Sequence, residues 1–250
     1  MNNFAHFKYI NRGILVFLPI FLWGCAEDTV VLRLGVASSN AALFEEVKTL
    51  FEQEEGKTLE ITYAASGTLY NQITNGAPYD LFFSADTFYN HLLYESGWLE
   101  REPAIYAKGG LALYVHDING MEDINTLLKK AEVIGLAKPE IAPIGDLGLK
   151  YMEDKNLFPD LLDKLVYAQS VSQVNQYIYS GVIDVAFTSI SSCIAGGWDK
   201  KCIALGEHYQ VPQSFGVIKG SSVKKREVKE FLQFFESSKA QAIVNKFGYF

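Results

Sequence analysis

The sequence predicts an α/β fold in two lobes, each a mainly parallel sheet flanked by helices. Three observations predict it. Short β-rich runs alternate with helical patterns from about residue 30 to the end of the chain, and such alternation builds parallel sheets covered by helices. Two long loop-like stretches, 100–110 and 206–214, interrupt that alternation. The chain has 250 residues, 49% hydrophobic and 20% charged. That is enough apolar surface for one large domain or two lobes of roughly 100 residues each.

Each element has its own signal. Residues 30–36 read as a strand, Val-Val-Leu-Arg-Leu-Gly-Val. Leu43, Val47, Leu50 and Phe51 then fall on one face of a helix over 41–55, which Gly56 closes. A strand follows at 59–64. Ser66-Gly67 opens a helix over 68–75, and Gly76 stops it. Residues 80–83 form a buried strand, and 86–96 a helix closed by Gly97. Leu111-Ala-Leu-Tyr-Val115 is a strand, as is 132–137. Pro139 and Pro143 stiffen the loop before a helix at about 146–154. A strand at 165–168 precedes a helix over 171–179, ended by Ser180-Gly181, and 182–188 is another buried strand. In the tail, Val228, Phe231, Leu232 and Phe235 share one helical face, and a second helix ends at Gly248. Reading the two loop-like stretches as crossovers places 25–109 with 209–250 in lobe one and 110–208 in lobe two.

The first 24 residues read as an export signal. Lys8 and Arg12 precede an apolar run from Gly13 to Trp23, with Gly24 at the cut. The run is too short for an ordinary membrane span, which needs about 20 apolar residues. Leu22-Trp23-Gly24-Cys25 resembles a bacterial lipobox, in which the cysteine is lipidated, although Trp23 departs from the usual small or aliphatic residue. The other reading is a plain signal peptide with an incidental cysteine. Export favours an oxidising compartment. There Cys193 and Cys202 either close a small loop over Gly196-Gly197-Trp198 or stay reduced.

Composition excludes several functions. A net charge of -7 and a pI near 5.2 give no basic face for nucleic acid. Three cysteines and four histidines show no CxxC or HxxxH spacing, so no zinc framework forms. No GxSxG elbow marks an exported α/β hydrolase. Asp80 and Asp86 flank an apolar strand and invite a paired-carboxylate reading, against which stands the structural role implied by the family resemblance given below. His91, His116 and His208 lie in different elements. Gly196-Gly197 is a turn without a phosphate-loop pattern. Lys224-Lys225-Arg226 begins a solvated helix face, and Trp98 and Trp198 read as packing anchors.

In open α/β sheets ligands sit beyond the carboxyl ends of strands, where helices begin. Four such turns stand out: Ala37-Ser38-Ser39-Asn40, Ala65-Ser66-Gly67-Thr68, Ala142-Pro143-Ile144-Gly145 and Gln169-Ser170-Val171-Ser172. None contains Lys, Arg, His, Asp or Glu. Helix N-termini offer unpaired N–H groups and a partial positive charge, and hydroxyls add neutral donors. Together they suit a small dehydrated oxyanion, if the turns converge. Ser, Thr and Asn are also the ordinary N-caps of any helix.

The residues resemble one family. SGTLYNQITNGAPYDLFFSAD at 66–86 is similar to the signature of molybdate-binding proteins, the extracytoplasmic receptors of molybdate ABC transporters, which reads S-S/G-x-L-x-x-Q-I-x-x-G-A-P-x-D-x-F-x-S-A-D. AKPEIAPIG at 137–145 and SVSQVNQYIYSGVIDVAF at 170–187 resemble two later segments in the same order. The resemblance spans about 30–250. It implies a type II periplasmic-binding-protein-like fold, with two lobes, a hinge of two crossing strands and the ligand in the cleft between lobes. It implies a monomeric binder of molybdate, and of tungstate, with no cofactor and no catalysis, whose partner is the membrane permease of an ABC importer. Sulfate or phosphate is the alternative ligand. By motif position Ser38, with Ser39 beside it, and Ser66 match hydroxyl ligands. Ile144 and Val171 match positions whose backbone N–H groups contact the anion. Near Ser189, where some members place a tyrosine, this chain has none, and Ser-Ser-Asn replaces the usual first-turn sequence. The implied location is the periplasm or cell envelope, with membrane attachment only through lipid at Cys25.

Overall fold

A computed structural model describes residues 31–117, 122–220 and 225–249. The export segment and Cys25 lie outside the described residues, as does Lys224. Alternation of strand and helix runs through the chain: β1 Val31–Ala37, α1 Ala41–Glu55, β2 Thr58–Ala64, α2 Ser66–Thr74, β3 Leu81–Ser84 and α3 Phe88–Glu95. Then come β4 Ala104–Val115, α4 Ile124–Lys130, β5 Ile134–Ala137, α5 Pro143–Asp154, β6 Leu165–Ala168, α6 Val171–Ser180, β7 Val185–Ser189 and α7 Ile190–Ala195. The described chain ends with β8 Cys202–Ala204, β9 Gln210–Val217, α8 Lys225–Phe235 and α9 Ser238–Lys246.

The strands follow the order β2-β1-β3-β9-β4-β7-β5-β6, with β8 paired to β4. β2, β1 and β3 are mutually parallel, and so are β7, β5 and β6. Between these parallel groups, β9 and β4 run antiparallel to their neighbours and to each other. β4 serves both groups: residues 104–110 pair with β9, and residues 111–115 pair with β7.

This corrects the loop reading of 100–110 and 206–214, since most of both stretches lies in β4 and β9. The sequence hid them for a physical reason. Lys108-Gly109-Gly110 and Pro212 look like breakers, yet Pro212 sits opposite Lys108 in the ladder. At Gly109 a Cβ would lie 2.2 Å from Gln213 Nε2, so a larger residue would have to displace that buried side chain. Helix α4 was not anticipated. Its signal is local: the Asp123 carboxylate accepts the Thr126 N–H as an N-cap. Helix α5 starts three residues before its expected start because Pro143 occupies the first helical position, where its missing N–H costs nothing.

Separate cores hold the two parallel groups. Phe44, Phe51, Phe83, Phe231 and Phe235 are buried together where α1 and α8 cover β1, β3 and β9. Phe83 is the hub, 4.6 Å from Phe44 and 5.4 Å from Phe235 between ring centroids. Leu69, Ile73, Phe82 and Leu93 fill the opposite face under α2 and α3. In the other group Ile134, Leu136, Met152, Val174 and Phe187 pack α5 and α6 onto the sheet. Burying each such side chain stabilises by about 1.5–3 kcal/mol. These cores fix the strand ends, and the strand ends fix the turns described next.

Candidate functional site

The C-terminal ends of β1, β2, β3, β5 and β6 bring five strand-to-helix turns to one place. Ala37, Ser38, Ser39, Ala65, Ser66, Ala85, Ala142, Pro143, Ile144 and Val171 line a cavity of about 190 Å³, part of it open to solvent. Three other cavities of the molecule measure about 720–880 Å³ on the same scale. This one is therefore the smallest of the four, too small for an organic metabolite. All five sequence-predicted residues are in its wall and buried: Ser38, Ser39, Ser66, Ile144 and Val171. Sequence reasoning missed Ala85, although it too sits between a strand and a helix.

Each turn offers donors for a local reason. Ser66 is the first residue of α2, and its hydroxyl oxygen accepts the Ala85 N–H at 3.1 Å. Its own proton is thus free for another acceptor. Ser38 opens a single 3-10 turn at the end of β1. The Ser39 hydroxyl instead donates to Asn40 Oδ1 at 3.2 Å, which leaves its backbone as its contribution to the cavity. Ile144 and Val171 lie in the first turns of α5 and α6, where N–H groups have no partner within the helix. Ser170 caps α6 by accepting the Gln173 N–H, so the cap and the cavity donor are different residues.

No charged side chain is in the wall. The nearest carboxylate by sequence is Asp86, beside Ala85. Burial raises its pKa above the usual aspartate range, and Asp146 adds repulsion. The Ser84 hydroxyl and the N–H groups of Tyr89 and Phe88 pull the other way. Asp86 is tied to its own turn, with Ser84 Oγ donating to it at 2.7 Å and the Tyr89 N–H at 3.3 Å. Asp80 accepts the Arg33 N–H at 2.7 Å. Both aspartates thus hold backbone.

Hydrogen bonds join the two strand groups around the cavity. The Gly67 N–H donates to the Ile141 carbonyl at 2.9 Å, and the Tyr89 hydroxyl to the Glu140 carbonyl at 2.9 Å. A Cβ on Gly67 would lie 2.6 Å from the Tyr89 hydroxyl and 2.9 Å from Ile141 Cα, so only glycine permits this approach. On the other side Ser172 Oγ donates to the Ser38 carbonyl at 3.3 Å, and Ser191 Oγ to the Ser39 carbonyl at 2.8 Å. No sequence signal distinguished Ser191 from an ordinary helix-start serine.

The remaining candidates are elsewhere. His116 approaches the Tyr114 hydroxyl at 3.4 Å, and His208 lies 3.8 Å from Asp154. Among the described residues no group of three or more His, Cys, Asp or Glu could hold a metal ion. Cys193 and Cys202 form a disulfide between α7 and β8. Trp198 packs on Tyr114 and Tyr179, and Arg226 pairs with Glu230 on an exposed helix face. No helix among the described residues is long and apolar enough to cross a membrane.

The chain is similar to known proteins. The family model for bacterial extracellular solute-binding proteins matches residues 32–250. The molybdate-binding protein ModA of Rhodobacter capsulatus is 28% identical over 217 residues, covering 86% of each chain. A Bacillus subtilis protein named as a candidate ABC transporter substrate-binding lipoprotein is 28% identical over 232 residues, 90% of this chain and 88% of its own. The solved periplasmic molybdate-binding protein of Azotobacter vinelandii matches with a TM-score of 0.82 at 26% identity, covering 88% of this chain and 98% of that one.

Proposed function

Because this chain belongs to the bacterial extracellular solute-binding proteins, we propose that it captures molybdate, and also tungstate, and delivers it to the permease of an ABC importer. The observation that carries this reading is the small cavity lined by five turns without one charged side chain. A tetrahedral dianion there is held by hydroxyl protons of Ser38 and Ser66 and by backbone N–H groups of Ser39, Ile144 and Val171. Helix N-termini supply the compensating partial charge. Similarity to molybdate-binding relatives supports the choice of anion. Molybdate and tungstate are nearly equal in size and carry the same charge, so the same donors serve both. Sulfate is smaller and leaves some donors out of reach. The protein is a monomeric binder without catalysis, and it needs no cofactor.

Calorimetric titration of the chain lacking residues 1–25 tests the reading. Molybdate and tungstate should bind at one site and sulfate much more weakly. A ligand at 100 times its Kd adds about 2.7 kcal/mol of stability, so melting should shift upward with either metal oxyanion. No heat and no shift with both would refute the assignment.

We also propose that Cys25 carries the lipid that tethers the protein to the cell envelope. The Leu22-Trp23-Gly24-Cys25 sequence supports this, as does the lipoprotein name of the Bacillus relative. Cys25→Ser should move the protein from the membrane to the soluble fraction. Equal membrane association of both forms would contradict it.

A further inference from the structure

Behind the cavity lies a buried hydrogen-bonded cluster that anion capture alone does not require. Tyr249 is 3% exposed and follows α9 at the end of the chain. Its hydroxyl is 2.5 Å from Asn40 Oδ1, 2.9 Å from Ser191 Oγ and 3.4 Å from the Ser39 carbonyl. Asn40 Nδ2 donates to the Tyr106 hydroxyl at 2.6 Å and to Gln213 Oε1 at 2.8 Å. Its amide group is therefore oriented, with Oδ1 facing Tyr249 as an acceptor. Tyr106 is on β4 and Gln213 on β9, the two strands that join the parallel groups. One phenol thus meets the Ser38–Asn40 turn, the joining strands through Asn40, and α7 of the other strand group.

From this geometry we infer that Tyr249 and Ser191 are positioning residues for the anion-binding turn, aligning its donors only while the two strand groups are together. The inference rests on the oxyanion reading of the cavity. Its physical basis is peptide planarity. In a trans peptide the carbonyl and the following N–H point in opposite directions, so fixing a carbonyl aims the N–H across the bond. Ser172 fixes the Ser38 carbonyl from α6 and so aims the Ser39 N–H. Ser191 fixes the Ser39 carbonyl at 2.8 Å, and Tyr249, whose one proton goes to Asn40 Oδ1 at 2.5 Å, fixes the Asn40 side chain, so the end of the turn is held from both strand groups. When the groups separate, Ser172 and Ser191 leave with α6 and α7, while Tyr249 stays packed in the core with Phe44 and Phe235. The turn then keeps its Asn40 contact and the Ala41 N–H on the Ser38 carbonyl, but loses the hydroxyl bonds from Ser172 and Ser191. Burial pushes the Tyr249 phenol far above its ordinary range, so it remains a donor at any physiological pH. Each hydroxyl bond to a carbonyl also polarises the peptide it holds and strengthens the N–H on the opposite edge.

Tyr249→Phe removes one oxygen and keeps the ring. Stopped-flow measurement with molybdate should show an association rate within about twofold of wild type and a release rate about 10-fold faster, the loss expected for one hydrogen bond. Ser191→Ala should act in the same direction. The double variant should release little faster than the more affected single variant, because both hydroxyls hold one turn. Hydrogen–deuterium exchange without ligand supplies a second readout. In Tyr249→Phe, segments 38–41 and 189–193 should both exchange faster while α3 is unchanged, which a local core defect around α9 would not produce. If wild type binds molybdate and Tyr249→Phe leaves release unchanged, the inference is overturned. If wild type binds no molybdate, the anion reading fails, and exchange alone decides. Faster exchange in both segments upholds the positioning role, and unchanged exchange at 189–193 overturns it.

Discussion

The two walls of the cavity offer the same kind of partner by different means. In the proposed site the wall from β1 and β2 offers mainly side chains: the hydroxyls of Ser38 and Ser66, each dependent on residue type, beside the single backbone N–H of Ser39. The wall from β5 and β6 presents Ala142, Pro143, Ile144 and Val171, which have no polar side chain. Its donors belong to the backbone and depend on where the helix starts. One wall can therefore be altered by truncating a side chain. The other can be altered only by removing an N–H or moving a helix.

Val171 separates these cases most sharply and carries the largest expected effect. It is the first residue of α6, and Ser170 before it is extended at φ -161° and ψ 165°. Proline is well tolerated at a first helical position, so Val171→Pro should keep the helix while deleting the donor and placing ring carbons at the cavity. Molybdate affinity should fall more than about 100-fold, beyond the 10- to 100-fold loss of a single bond to a charged ligand. Val171→Ala keeps the N–H and should change affinity by less than about threefold, although lost packing lowers the melting temperature. Equal binding losses in the two variants, by calorimetry, would show that the side chain and not the N–H matters.

On the opposite wall the expected ranking reverses. Ser38→Ala and Ser66→Ala should each weaken molybdate binding by about 10- to 100-fold. Ser39→Ala should cost less, because that hydroxyl is directed to Asn40. A titration series in which Ser39→Ala is the most damaging of the three would break the assignment of donors.

Much of this contrast was legible in sequence. Ser38, Ser39 and Ser66 stand out as hydroxyls between a strand and a helix. Ile144 and Val171 do not, because backbone donors leave no trace in residue type; only resemblance to a family pointed to them. Convergence of the turns depends on β4 and β9, which resembled loops because glycine and proline occur where the two strands approach closely. Ser191 lies 152 residues from the Ser39 carbonyl it holds and Tyr249 lies 209 from Asn40, and no local pattern encodes such a meeting.

The smallest expected effects concern charge. With no titrating side chain in the wall, molybdate affinity should be nearly flat between pH 6 and 8. Asp86 should act on stability instead. Its folded pKa is raised, mainly by burial. Its contribution is therefore fully present below the ordinary aspartate range and is lost as pH rises through its folded value. Asp86→Asn still accepts from Ser84 and should not suffer that loss. Its melting temperature should match wild type in strong acid and equal or exceed it at pH 7. A variant melting well below wild type at pH 7 would mean that the ionised carboxylate is needed.

The central claim is that uncharged donors from both walls hold one metal oxyanion. Diffraction from crystals grown with molybdate, recorded at the molybdenum absorption edge, tests it most directly. One anomalous peak should lie inside the cavity, with oxygens in hydrogen-bond range of Ser38 Oγ, Ser66 Oγ and the backbone nitrogens of Ile144 and Val171. A peak elsewhere, or one with lysine or arginine side chains as its nearest donors, would contradict it.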